Sequence, residues 1–227
     1  IKQFGDLYFG HDMIEHNLTL KHYVALALLG LGVGISSIQP LEWEAYVLHQ
    51  IGTVIMLLVL IICLKKIGLS FANFCLYLGF LIIHVIGAHY LYSYVPYNDW
   101  FIKLLHFDLN QQLGWSRNMY DRLVHFAYGL LLYPFFYRCF HVWLPSLKPL
   151  TLFSLTIQFV MASSLVYELI EWWIAIGLSP EDAENYNGQQ GDMWDAHKDM
   201  FLATLAAVLI GTIQLWHKKR LLLNRRF

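Results

Sequence analysis

Charge is scarce in this chain of 227 residues, where Asp, Glu, Lys and Arg together make up 14%, against about a quarter in an ordinary soluble domain. With 58% of the residues hydrophobic, a soluble globule is excluded. Cysteine is scarce too. The three, Cys63, Cys75 and Cys139, are odd in number, sit in or at the ends of apolar segments and show no CxxC spacing, which argues against structural disulfides and a zinc ribbon. Neither sign of charge dominates, the formal net charge being −1, so no basic surface attracts nucleic acid and no such partner is expected. No phosphate-binding glycine loop, nucleophilic triad or repeat of fixed period is present. Six prolines and fifteen glycines are ordinary numbers, so collagen-like and disordered classes fall away as well.

What is present is a series of apolar runs approaching the roughly 20 residues that a membrane-crossing helix needs. Six segments qualify: Tyr23 to Ile38, Ala45 to Leu64, Phe71 to Tyr92, Tyr120 to Phe140, Leu152 to Ile176 and Ala196 to Trp216. They predict an all-α, polytopic bundle of six transmembrane helices forming a single domain over residues 1–227, with residues 1–21 as an amphipathic interfacial segment built on Phe4, Leu7, Tyr8 and Phe9. Pro134 stands inside the fourth segment, while the other five prolines punctuate loops.

Lys and Arg in short flanking loops set orientation, with the richer side cytoplasmic. Placing both termini on that side gathers eleven positive residues there, Lys65, Lys66, Arg138 and Lys148 among them, against four on the other: Lys103, Arg117, Arg122 and Lys198. Both termini are therefore expected in the cytoplasm, and the loops around Asp99 to Arg117 and Glu181 to Glu184 outside.

That orientation gives the ionisable residues inside the segments a common depth. An Asp at a helix centre costs about 2.5 to 3.5 kcal/mol on insertion scales, so each such residue needs an offsetting partner. Segments three and five run outward and carry His84, His89, Glu168 and Glu171 late; segments four and six run inward and carry Asp121, His125, Asp195 and Asp199 early. At about 1.5 Å of rise per residue, His84, His125, Glu168 and Asp199 all fall roughly 10 Å below the outer ends. Asp121 with His125, Asp195 with Asp199, and Glu168 with Glu171 lie three or four apart, so each pair shares a face.

Imidazole and carboxylate groups on facing helices are the usual ligands of zinc, iron or manganese in bundle cores. The expected ligands of one divalent ion are His89, His125, Glu168, Asp199 and Asp121. Asp195 or Glu171 would act as general base on a metal-bound water. His84, Tyr167 and Asp192 would orient the ligands. Arg117 and Arg122 on the same side would clamp a phosphate. Plainer uses exist for several of these. Asp192 and Asp195 stand where an Asp caps a helix, His125 could be a core histidine bonded to Glu168 or Tyr167, and the arginines could snorkel or pair with Asp121. His84 and His89, five apart, lie about 140° around a helix from one another; His89 is taken as the ligand. Other histidines, His49 among them, are read as without chemical role.

Four ordered stretches carry a resemblance: GAHYLYSYVP (Gly87 to Pro96), RNMYDRLVHF (Arg117 to Phe126), YELIEWW (Tyr167 to Trp173) and GDMWDAHKDM (Gly191 to Met200). They resemble the YjdF-like bacterial inner-membrane proteins and, more faintly, the VanZ-like proteins with their Asp-x-x-x-His-Phe element. The resemblance implies a bacterial inner-membrane protein whose polar motifs belong together, and it implies no substrate. His197 stands where that family commonly has Gln.

The reading that follows is a metal-dependent membrane enzyme with its site at the outer leaflet, acting on a lipid or lipid-linked head group by hydrolysis or group transfer. A proton-coupled transporter using the same carboxylates is the alternative, and a non-catalytic protein that binds an envelope precursor or antibiotic is a third.

Overall fold

A computed structural model describes residues 13–224 apart from 178, 180–182, 184 and 185, and the backbone alone for 218–224. Among the described residues the architecture is all-helical. Its elements are α1 (Leu20–Ser36), α2 (Trp43–Ile67), α3 (Phe71–His89), α4 (Tyr97–Leu105), α5 (Leu109–Leu113), α6 (Tyr120–Trp143), α7 (Pro149–Ile176) and α8 (Asp195–Asn224). Four stretches are long and apolar enough to cross a membrane: Trp43–Ile67, Phe71–His89, Pro149–Ile176 and Asp195–His217; Leu20–Ser36 is a shorter apolar helix. α6 has the length, at 24 residues, but carries Asp121, Arg122, His125, Arg138 and His141.

Local chemistry fixes the helix ends. α2 stops at Gly68, whose φ of +73° suits a residue without Cβ. The Ser70 side chain then accepts the Asn73 amide at 3.2 Å and opens α3. Pro149 occupies the first turn of α7, where its missing N–H costs no hydrogen bond. Residues 13–19 are not helical. Glu15 instead pairs with Leu69 in an isolated antiparallel bridge, which ties this segment to the α2–α3 turn. Lys21 lies against the Glu15 carboxylate and holds it below the usual range. The remainder of the expected interfacial segment, residues 1–12, lies outside the described residues.

Side-chain contacts give the helix directions. His49 meets His84 and the Tyr77 hydroxyl donates to the Met56 carbonyl at 2.9 Å, so α2 and α3 are antiparallel. Tyr120 reaches Ile83 and Tyr77 packs on Phe135, making α3 and α6 antiparallel. Tyr128 meets Ser163 and Phe140 meets Phe159, so α6 and α7 are antiparallel too. α8 runs parallel to α6, because Arg122 bonds Asp199 while Gly129 lies against Ala203. The starts of α2, α6 and α8 therefore share one end of the bundle with the ends of α1, α3 and α7.

α6 is the hub, packing on α3, α7 and α8. A Cβ built on Gly129 would stand 1.9 Å from the Ala203 carbonyl oxygen, and Ala203, Ala206 and Ala207 are fully buried. Small residues thus let the α6 and α8 backbones touch. The half of the bundle away from the shared end is filled by Leu60, Leu64, Phe74, Leu132 and Phe135.

Candidate metal centre

The shared end collects the ionisable residues. On α6, Asp121 and His125 lie one turn apart and face α7, where Glu168 comes up antiparallel. The His125 Nε2 atom is 3.7 Å from Asp121 Oδ1 and 3.8 Å from Glu168 Oε1. Both separations exceed a hydrogen bond, so the ring nitrogen sits between two carboxylates without bonding either. Asp199 enters from α8, and one ligand atom each from Asp121, His125 and Asp199 lies within 4.8 Å of the others. All three are buried, and Asp199 is 1% exposed. Glu168 Oε1 is buried with no hydrogen-bond partner, as an acceptor short of a donor. Donors about 2.0 to 2.2 Å from a common ion stand roughly 3 to 3.5 Å apart; the His125 contacts to Asp121 and Glu168, at 3.7 and 3.8 Å, are wider than that.

Two further side chains of α7 adjoin the cluster. Tyr167 packs its ring edge-on to His125 at 5.8 Å, and its side chain hydrogen-bonds Glu171, which lies in the field of Glu168 and Asp121.

The arginines face the other way. From the α6 face that meets α8, Arg122 donates to Asp192 at 3.0 Å, to Asp195 at 2.5 Å and to Asp199 at 3.2 Å. Arg117 donates to Asp195 at 2.9 Å and to the carbonyls of Gln189 and Gly188. The phosphate clamp expected of this pair therefore needs correction. Both guanidiniums are committed to carboxylates and carbonyls, and the carboxylates are not that of Asp121. The cause is the parallel contact of α6 and α8, which brings two cations against the acidic first turn of α8, where buried charges must pair. Asp195 is held by both arginines, an arrangement unlike that of a carboxylate free to accept a proton.

Outside the helices, Asp192 accepts from Lys198 at 2.6 Å and from the Trp194 amide at 3.1 Å. These bonds hold its carboxyl below the usual range. Gln190 brackets Asn118, accepting from its amide at 3.0 Å and donating to its carbonyl at 3.1 Å. The loop before α8 is thus fastened over the start of α6.

His89 is the second correction. Its Nδ1 lies 2.8 Å from the Ser36 carbonyl at the end of α1, on a different face from the cluster. His84, the member of the pair that points inward, belongs to a group the sequence reading passed over. Its Nε2 donates to the His49 carbonyl at 3.2 Å, so a neutral ring has Nδ1 as acceptor, and the Tyr92 hydroxyl supplies that bond at 2.5 Å. His49 stacks on Tyr186 at 4.9 Å, and burial beside Glu171 pushes the Tyr186 hydroxyl up to about 12. His49 had a usable signal: it is early in an inward-running segment, at the same depth as the other polar residues.

Comparison with known proteins agrees with the membrane reading. A family model described as "Predicted membrane protein (DUF2238)" matches residues 21–220. "Inner membrane protein YjdF" of Escherichia coli (strain K12) is 31% identical over 189 residues, covering 82% of this chain and 83% of the relative. No solved structure matches.

Proposed function

The chain belongs to the family of predicted membrane proteins DUF2238, and we propose that it is a metal-dependent enzyme of the bacterial inner membrane, acting on a lipid or lipid-linked head group by hydrolysis or group transfer. Asp121, His125 and Asp199 hold one divalent ion, with Glu168 as a fourth ligand; zinc, iron and manganese all accept this donor set. The ion would lower the pKa of a bound water, and Glu171 would accept its proton. The single observation that carries the reading is the convergence of three buried ligand atoms within 4.8 Å, drawn from two helices.

Charge supports it. Among the described residues, the fixed cations paired with the group Asp121, Glu168, Glu171, Asp195 and Asp199 are Arg117 and Arg122, and uncompensated buried carboxylates are costly. In the membrane, α1, α2, α3, α6, α7 and α8 are taken as six crossings. The end opposite the cluster, where Arg138 donates to the carbonyls of Ile67 and Gly68, faces the cytoplasm together with both termini. A proton relay through the same carboxylates has less support, since the cytoplasmic half of the core is filled with Leu60, Leu64 and Leu132 and a transporter needs access from both sides.

Elemental analysis of protein purified without chelator tests the reading. Wild type should carry near-stoichiometric metal, and His125→Ala and Asp199→Asn should both lose it. Wild-type occupancy in both variants would end the ligand assignment.

A further inference from the structure

Beside the cluster runs a groove of about 710 Å³ between α4, α5, α6 and α8. Its walls are hydrocarbon and aromatic, including Phe101, Leu123, Phe126, Phe201 and Leu202. Leu123 and Phe201 are 49% and 62% exposed, so the groove opens sideways, toward the acyl chains in the membrane reading. The volume is in the range of small-molecule sites.

The charged residues of the lining gather at one end. Arg117, Arg122 and Lys198 line it against one carboxylate, Asp192. The two arginines have their donors engaged, as described above. Lys198 differs: its side chain is 53% exposed and the structure gives its ammonium one partner, Asp192 at 2.6 Å, leaving donors from a group that carries three. A cation with spare donors therefore stands at the rim of a hydrocarbon slot, at the level where α8 begins. Arg122 forms the wall between this slot and Asp199.

We propose that the groove is a lipid site and that its occupant is an anionic glycerophospholipid, entering laterally with one acyl chain between α6 and α8 and its phosphate on Lys198. Three observations carry this: the apolar lining, a lysine with spare donors at one end, and the lateral opening. The inference names the substrate class for the enzyme proposed above and rests on that reading only there, since lipid can occupy the groove whether or not the cluster binds a metal.

The test is native mass spectrometry of the full-length protein released from nanodiscs of equal parts phosphatidylglycerol and phosphatidylcholine, with metal content measured on the same samples. Wild type should retain phosphatidylglycerol in preference. Lys198→Ala should reduce that preference by about fivefold, the loss expected of one lysine against an anionic head group. Leu202→Trp and Leu123→Trp, which fill the groove at two separate places, should reduce retention of both lipids while metal content stays at the wild-type level. The proposal is overturned by equal retention of the two lipids in wild type, or by undiminished retention in both tryptophan variants. Loss of metal from wild type with lipid preference intact would count against the enzyme and not against the groove.

Discussion

Replacing Arg122 by Gln probes the arrangement most directly, because this one side chain is bonded to Asp192, Asp195 and Asp199 and its side chain is only 10% exposed. Glutamine keeps polarity and much of the length but removes the charge. Taking one partner from a buried ion pair costs about 3 to 5 kcal/mol, because the remaining charge stays desolvated. Against a total stability of roughly 5 to 15 kcal/mol, that is a large fraction. Unfolding in mixed micelles, followed by the fluorescence of the eight tryptophans, should show it. A double-mutant cycle sharpens the attribution: Asp195→Asn should cost less in the Arg122→Gln background than in wild type, with a coupling of about 0.5 to 3 kcal/mol. Divalent metal, if it binds the folded state at Asp199, should recover part of the loss by mass action. A variant within about 0.5 kcal/mol of wild type, or a cycle with no coupling, would mean that the guanidinium is solvated by water or head groups, and the buried salt-bridge argument would fail.

Three other predictions follow from the same geometry. Gly129→Ala puts a methyl into the backbone of Ala203, which no side-chain rotation can relieve, so it should cost about 1 to 3 kcal/mol in the same unfolding assay; Gly52→Ala, where nothing lies within 4 Å of the added carbon, should be neutral or slightly stabilising. His89→Ala should leave metal content at the wild-type level and cost only about 1 kcal/mol for the lost bond to Ser36, whereas metal loss would return His89 to the ligand set. Asp192 has a carboxyl pKa depressed by Lys198 and the Trp194 amide, so its stabilising contribution is present above its ordinary unfolded value and disappears as pH falls through the folded one. Melting curves of wild type and Asp192→Asn should therefore stay parallel between about pH 6 and 8 and converge only below about pH 4.

The helices were legible because long apolar runs leave little choice of conformation: each of the six expected segments is largely helical and four of those helices are long and apolar enough to cross a membrane, with ends set by residues such as Pro149 and Gly68 that hydropathy does not see. The short helices α4 and α5 were missed; each is under ten residues and closes on a left-handed residue, His106 or Gly114, so neither has the length for a periodic signal. Depth was legible and direction was not. Depth follows from counting residues along a helix, and it put His84, His125, Glu168 and Asp199 at one level, with Asp121 in a shallower layer. Which of His84 and His89 points inward depends on how α3 is rotated against α1, α2 and α6, and the direct partners of the two histidines, Ser36 on α1 and His49 on α2, belong to helices that carry no motif. On α6, Asp121, His125 and Tyr128 recur at helical spacing on one face toward α7, while Arg122 and Gly129, seven apart, share another toward α8. The sequence shows that two faces exist. Only the close approach allowed by Gly129 and Ala203 determines that the arginine face meets the acidic start of α8.

The choice between protons and a metal ion at the cluster turns on acceptors as much as on charge. Five carboxyls against two guanidiniums leave three excess negative charges if His125 is neutral, and three protons would remove them as well as a divalent ion would, or better. A protonated carboxyl, however, donates along one direction to one neighbour, and near Glu168 and Asp121 the neighbour on hand is His125 Nε2, at 3.8 and 3.7 Å, beyond hydrogen-bond length. Protonation would thus neutralise Glu168 without giving its buried Oε1 a partner. A cation about 2 Å from each donor would instead engage lone pairs that converge from several sides at once, as the proposed metal reading requires of Asp121, His125 and Asp199, whose ligand atoms lie within 4.8 Å of one another.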